Sequence, residues 1–226
     1  MKFNVLTIFP EIINGYSSQS ILGRAQKAGT IKIEAHDFRK FTTDKRGHVD
    51  NSPYGGGAGM VLMAEPILRT METIEKSKKS KVIILSAKGK QFNQKMAYDW
   101  SKKYDQLILI SGRYEGIDER VKTVLRAEEI SIGPFVLTDG DVAAMAIISA
   151  TARLVPGVIK LESLAEESHW NLLLKKEAAA TSSGLEYPHY TRPEVLEYKG
   201  KKYRVPKVLL SGDHKKIADW RKTKAK

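Results

Sequence analysis

The sequence predicts an α/β fold built on a mostly parallel sheet. Short apolar runs alternate with helical stretches over the first 158 residues. Three of those runs end in glycine-bearing turns, the kind of strand end at which open sheets hold ligands. With 226 residues, 42% of them hydrophobic, the chain has enough apolar surface to bury a core.

In order along the chain, Phe3 to Phe9 reads as a first strand. A helical stretch from Ser20 to Lys27 stops at Gly29, and Ile31 to His36 reads as a second strand. Arg39 to about Gly59 is a long polar loop rich in glycine. Ala64 to Lys78 reads as a helix with Pro66 in its first turn, where the missing N–H costs nothing. Lys81 to Ser86 (KVIILS) is a short apolar strand, and Gln91 to Ser101 a helix. Asp105 to Ser111 is the strand that delivers the turn GRYEGIDER, Gly112 to Arg120. A helix near Asp118 to Leu125 and a strand from Glu129 to Ile132 follow. The turn SIGPFVLTDGD, Ser131 to Asp141, then leads into a helix from Asp141 to Leu154.

Pro156 and Gly157 close this alternation, so the reading divides the chain into 1–158, a linker over 159–186 and a basic C-terminal region over 187–226. The linker has one weak helical stretch, Trp170 to Ala180, and the run Ala178 to Gly184 has linker composition. Pro188, Pro193 and Pro206 break the small C-terminal region into short pieces before a basic helix from Asp213 to Lys222.

Charge is distributed unevenly. Of a formal net charge of +12, the stretch Tyr187 to Lys226 carries +8, from nine Lys and three Arg against Glu194, Glu197, Asp213 and Asp219. That density predicts a polyanionic partner, with nucleic acid ahead of anionic membrane. The absence of cysteine excludes disulfides, thiolate catalysis and cysteine-ligated zinc. His36, His48, His169, His189 and His214 show no metal-ligand spacing, so no metal site is expected. No apolar run approaches the ~20 residues of a spanning helix. The expectation is therefore a soluble, cytoplasmic protein with no membrane partner.

The candidate ligand turns are LSAKG (Leu85 to Gly89), GRYEGIDER and SIGPFVLTDGD. Their glycines let backbone groups approach a ligand closely. None forms the G-x-G-x-x-G of dinucleotide folds, and PYGGGAGM (Pro53 to Met60) lacks the Gly-Lys-Ser/Thr of a Walker loop. Glycine turns without a phosphate fingerprint favour a nucleoside ligand without a phosphate chain, a description that S-adenosylmethionine fits.

PYGGGAGM, GRYEGIDER, SIGPFVLTDGD, RLVPGV, and PHYTRPEV with VPKVLLSGDH, all in this order, closely resemble the bacterial tRNA (guanine-N1)-methyltransferases acting at tRNA position 37. The resemblance spans essentially the whole chain. It implies a knotted (trefoil) α/β methyltransferase domain of the SPOUT type followed by a small helical C-terminal domain, and a homodimer with its cofactor sites at the subunit interface. It implies S-adenosylmethionine as cofactor and tRNA with guanosine at position 37 as partner. Magnesium dependence is implied by the resemblance alone.

By the same resemblance, Leu85, Ser86 and Gly89 would line one side of the cofactor, and Gly112, Tyr114, Glu115 and Gly116 another. Ile132, Gly133, Pro134, Phe135, Val136 and Leu137 would meet the adenine, with Gly140 closing the pocket. Arg153, in ATARLVPGV, corresponds to the family's catalytic arginine. The family's catalytic aspartate has no direct counterpart. Its context falls on Glu166-Glu167-Ser168-His169, one residue shorter, and Glu167 is the candidate base. The segment from Trp170 to Ser183 is longer than the family's usual linker. Asp50 and Gly59 match positions near the target guanine, with Lys45, Arg46 and His48 nearby. Tyr190, Arg192, His214, Lys215, Trp220 and Arg221 mix cations with aromatics, as RNA binding requires. The alternative is a non-catalytic or differently specific knotted RNA-binding relative.

Overall fold

The structure, a computed structural model, describes residues 1–160 and 187–224. The chain divides into two compact units, Met1–Lys160 and Leu161–Lys226.

The first unit is a five-stranded sheet. Its strands are β1 (Lys2–Thr7), β2 (Lys32–Asp37), β5 (Ser80–Gln91), β6 (Gln106–Ile110) and β7 (Glu128–Ser131), in the order β2-β1-β6-β5-β7. Every pairing in this sheet is parallel. A parallel sheet is covered on both faces, and the period of two sorts its side chains accordingly. Phe3, Val5, Leu107, Leu109, Ile83 and Leu85 share one core with helices α1 (Pro10–Ser17), α2 (Ser20–Lys27), α4 (Gln94–Lys103) and α6 (Gly140–Ala152). Leu6, Ile108, Ile110 and Ile84 share the other with α3 (Ala64–Glu72) and α5 (Glu119–Leu125). The two-residue strands β3 (Asp50–Asn51) and β4 (Val61–Leu62) pair antiparallel at the base of the long loop.

Four features depart most from what the sequence predicts. Helix α1 was not expected, because Ile13 is its only buried apolar side chain, although Pro10 opens it and Glu11 sits in its first turn. Helix α3 stops at Glu72 instead of Lys78. The buried Gln106 captures the segment beyond it, accepting from Ser77 N–H at 2.8 Å and donating to Glu75 O at 3.1 Å. Strand β5 continues past Ser86 through an irregularity between Leu85 and Lys90. Helix α4 begins at Gln94, where the Asn93 side chain accepts from Met96 N–H at 3.0 Å.

The second unit contains more than helices. An antiparallel hairpin, β8 (Val195–Tyr198) and β9 (Lys201–Arg204), precedes α7 (Lys207–Leu210) and α8 (His214–Lys224). Its turn residues Lys199 and Gly200 both have positive φ, 49° and 71°, as a two-residue turn matching strand twist requires. None of the residues described from 187 to 224 is buried.

Candidate active site

The carboxyl ends of β6 and β7 and the irregular middle of β5 open onto one cleft of about 450 Å³. Its walls come from the three turns that the sequence singles out. Leu85 and Ser86 stand where the irregularity in β5 begins, Gly112, Tyr114, Glu115 and Gly116 follow β6, and Ile132, Phe135, Val136 and Leu137 follow β7, with Gly140 opening α6. Tyr114 adopts φ 57°, a left-handed conformation that is unusual for an aromatic residue, and is more than half exposed at the mouth.

Three residues expected around the cofactor do not line the cleft. Gly89 lies against the β7 backbone, where a Cβ would come within 2.5 Å of Glu129 C and Ile130 N, so its lack of a side chain lets irregular β5 rejoin β7. Gly133 lies under the Phe135 ring, 2.1 Å from where its Cβ would be, and Pro134 is exposed beside it.

The turns are fastened to one another. Gly140 N–H donates to Gly112 O at 2.8 Å. Arg113 Nη2 reaches Asp141 Oδ2 at 3.2 Å and Asp139 Oδ2 at 3.5 Å, with its guanidinium 4.3 Å from the Phe9 ring centroid. Asp139 also caps α6, accepting from Asp141 N–H and Val142 N–H. Arg113, Asp139 and Asp141 are not among the site residues expected from the sequence. The signal was present, in one arginine of the first turn and two acids flanking the glycine of the other.

Charge on the cleft wall is unbalanced. Glu115, Asp118, Glu119, Glu129 and Asp139 face Lys88, Arg113 and Lys122. A hydrogen bond from Arg120 holds the Asp118 carboxyl below the ordinary range. Burial pushes Glu129 upward, but hydrogen bonds from Lys122 and Lys88 outweigh it and keep the carboxyl low. Both acids are therefore ionised at neutral pH. An apolar floor, glycine backbone and net negative charge fit a nucleoside that also carries a sulfonium and an ammonium group.

The glycine loop borders the same turns. Glu115 N–H donates to Met60 O, Leu62 N–H to Gly116 O, and Asp118 N–H to Leu62 O, each at 3.0 Å. Asp50 pairs with Leu62 across β3 and β4, so it stands one strand from the cleft rim. Gly59, at φ +80°, lies directly over the Glu115 side chain. In the loop ahead of β3, Asp44 accepts from Arg46 N–H and His48 N–H.

Arg153 is not gathered into this cleft. It caps the opposite end of α6 from Gly140, and the thirteen-residue helix spans about 20 Å at helical rise. Glu167 lies outside the described residues.

A sequence model described as tRNA (Guanine-1)-methyltransferase TrmD matches residues 1–226. The chain belongs to this family. A tRNA (guanine-N(1)-)-methyltransferase of Thermomicrobium roseum is 48% identical over 227 residues, covering 100% of this chain and 79% of that protein. One of Carboxydothermus hydrogenoformans is 50% identical over 222 residues, covering 98% and 81%. One of Chloroflexus aggregans is 47% identical over 225 residues, covering 99% and 82%.

In this member of the TrmD family, the second unit carries the cations and aromatics expected at an RNA surface. Tyr190 and Trp220 have ring centroids 6.3 Å apart, and Arg221 lies over the Tyr187 ring at 4.7 Å. His214 and Lys215 open α8, and Arg192 is exposed. No described helix is long and apolar enough to cross a membrane.

Proposed function

We propose that this chain is a cytoplasmic enzyme that methylates N1 of guanosine 37, beside the anticodon of tRNA, using S-adenosylmethionine. The observation that carries this reading is that one cleft, in a chain matched end to end by the tRNA methyltransferase family, gathers the three glycine turns. Bound there, S-adenosylmethionine supplies an electrophilic methyl group. Guanine N1 is protonated at neutral pH, so a base must take that proton as the new bond forms. Glu167 has that role in this proposal, its extra methylene offsetting the one-residue shortening of its segment. Asp50 accepts from N1–H and N2–H of the guanine, a pattern adenine cannot match. Arg153 stabilises the negative charge that develops toward O6. The cleft residues Leu85 through Gly140 hold the donor, with Gly89, Gly133 and Pro134 shaping the turns, and Gly59 lets the loop close over the base.

The second unit grips the tRNA through Tyr190, Arg192, His214, Lys215, Trp220 and Arg221. Among the described residues no group of three histidines or acids gathers as a metal site, so no step is assigned to magnesium.

The active form is a homodimer, with the backbone threaded in the family's trefoil knot. Support for the dimer comes from α6, whose length keeps Arg153 about 20 Å from Gly140 of its own protomer. Ile12, Tyr16 and Val142 are also exposed on α1 and α6. Mixing Arg153→Ala subunits with Gly140→Ala subunits should restore activity lost in each alone. Inert mixtures would show that each protomer completes its own site.

The deciding assay is methyl transfer from labelled S-adenosylmethionine to a tRNA transcript with guanosine or adenosine at position 37. Only the guanosine transcript should be methylated. Glu167→Gln should lose ~100-fold or more in rate, the usual range for a general base. Undiminished turnover by that variant would put the base elsewhere. Donor binding without transfer would favour a non-catalytic relative.

A further inference from the structure

We propose that Arg113 and Asp141 act as a positioning pair that sets the donor site by clamping the turn after β6 to the start of α6. The inference rests on the methyl-donor reading of the cleft. Neither residue is assigned a contact with the reacting atoms.

Asp141 is fully buried, and the Arg113 side chain is one-fifth exposed. The two meet at a single nitrogen–oxygen contact of 3.2 Å. Arg113 Nε and Asp141 Oδ1 are both buried with no hydrogen-bond partner in the protein, as is the neighbouring Ser111 Oγ. Burying an ion pair removes two charges from water, and attraction repays that cost only with good geometry and full hydrogen bonding. This pair has neither, so it is a poor device for stability.

Its location accounts for it better. Gly112 precedes Arg113, Gly140 precedes Asp141, and these glycines touch through the Gly140 N–H to Gly112 O bond. The ion pair thus sits one residue beyond the point where two walls of the cleft meet. Phe9, stacked on the guanidinium at 4.3 Å, and Asp139, at 3.5 Å, limit the rotation of Arg113. Asp139 serves both sides by capping α6 while facing Arg113. The spacing between the turn after β6 and the N-terminus of α6, and so the width of the donor site, follows from this contact.

The test compares the double variant Arg113→Met/Asp141→Asn with wild type and with each single variant. Affinity for labelled S-adenosylmethionine and for S-adenosylhomocysteine is measured directly, alongside the melting temperature and KM for tRNA. The double variant should melt close to wild type yet bind the donor about tenfold or more weaker, because the site has lost its pre-organisation. KM for tRNA should stay within about twofold, and kcat at saturating donor should be largely retained. Arg113→Lys, which keeps the charge, should recover part of the donor affinity. Since single variants leave one buried partner unpaired, they should melt lower than the double.

Wild-type donor affinity in a folded double variant would overturn the proposal. So would equal weakening of donor and tRNA in step with lost stability. Donor binding is read without an acceptor, so failure of the positioning pair is separable from failure of the tRNA-methylation reading. The latter would appear as wild-type enzyme that binds donor and methylates nothing.

Discussion

Gly59 and Glu115 occupy adjoining space that leaves no room for a side chain on the glycine. A Cβ on Gly59 would fall 2.3 Å from Glu115 Oε1 and 2.6 Å from its Cγ, and Gly59 already sits at φ +80°. Backbone bonds from Glu115 to Met60 and from Leu62 to Gly116 run beside this contact. The loop proposed to close over the base and the turn proposed to hold the donor are therefore joined.

Gly55 provides the control for that contact, with φ +87° and nothing within 4 Å of its Cβ position. Gly55→Ala should lose only the cost of a left-handed alanine, about 1–2 kcal/mol. Gly59→Ala should lose more and should also weaken donor binding, because Glu115 must move. Thermal melting and donor titration of both variants measure the difference. Identical behaviour would mean the contact has no consequence.

Gly140→Ala should impair donor binding without comparable loss of tRNA binding. Its Cβ would lie 2.7 Å from Gly112 N and 3.0 Å from Ser111 Cα, both backbone atoms that cannot swing aside. Relief requires the start of α6 to part from the end of β6. Donor affinity should fall about tenfold or more, since small misplacements at such sites are costly. Calorimetric titration with S-adenosylhomocysteine, beside filter binding of tRNA, would show it, and unchanged donor affinity would refute it.

His36 should make stability fall in mild acid. Ser77 N–H fixes the Gln106 amide, Gln106 Nε2 donates to Asn4 Oδ1, and Asn4 Nδ2 then faces His36 Nε2 at 2.8 Å as a donor. That ring nitrogen must accept, so the imidazole is neutral. Burial lowers its pKa below the usual 6.5, with the Glu34 charge opposing. The unfolded chain takes up the proton first, so this contribution is present above pH 6.5 and is lost as pH falls toward the lowered folded value. Glu34, held low by a hydrogen bond from Lys32, contributes above its ordinary 4.5 and loses its contribution only in stronger acid. Denaturant melts at about pH 7.5 and about pH 5.5 should therefore show a drop that His36→Gln reduces. An equal drop in that variant would exclude His36 as its source.

Lys215 and Trp220 should affect tRNA binding in distinguishable ways. Lys215→Ala removes a cation at the start of α8 and should lower the salt dependence of binding by roughly 0.7–0.9 in log–log slope. Trp220→Ala removes a ring that neighbours Tyr190 and should cost about 1–3 kcal/mol with the slope unchanged. Filter binding over a salt series measures both. Equal slopes in all three proteins would remove Lys215 from the phosphate contacts.

Much of the architecture is legible along the chain, because a parallel strand buried on both faces is a local apolar run. QLILI of β6 is buried at every position. The glycine turns are legible for a related reason, since LSAKG, GRYEGIDER and SIGPFVLTDGD interrupt those runs with residues unsuited to packing. Helix α1 and the β8–β9 hairpin are less visible, because one is short with a single buried apolar residue and the other is exposed on nearly every residue. The end of α3 was invisible because Gln106, some thirty residues later, decides it.

By itself the sequence determined the alternating α/β order, the basic C-terminal region, the three ligand turns and the family to which the chain belongs, since each is written in contiguous residues. Tertiary structure alone decided which residues of those turns face one cleft, that Gly89 instead supports the rejoining of β5 with β7, and that Arg113 meets Asp141. It also decided that Arg153 stands a helix length from Gly140, at the far end of α6. These are distances between residues far apart in the chain, and local patterns of polarity and glycine do not encode them. They exist only once the sheet has brought β5, β6 and β7 side by side and α6 has packed across its face.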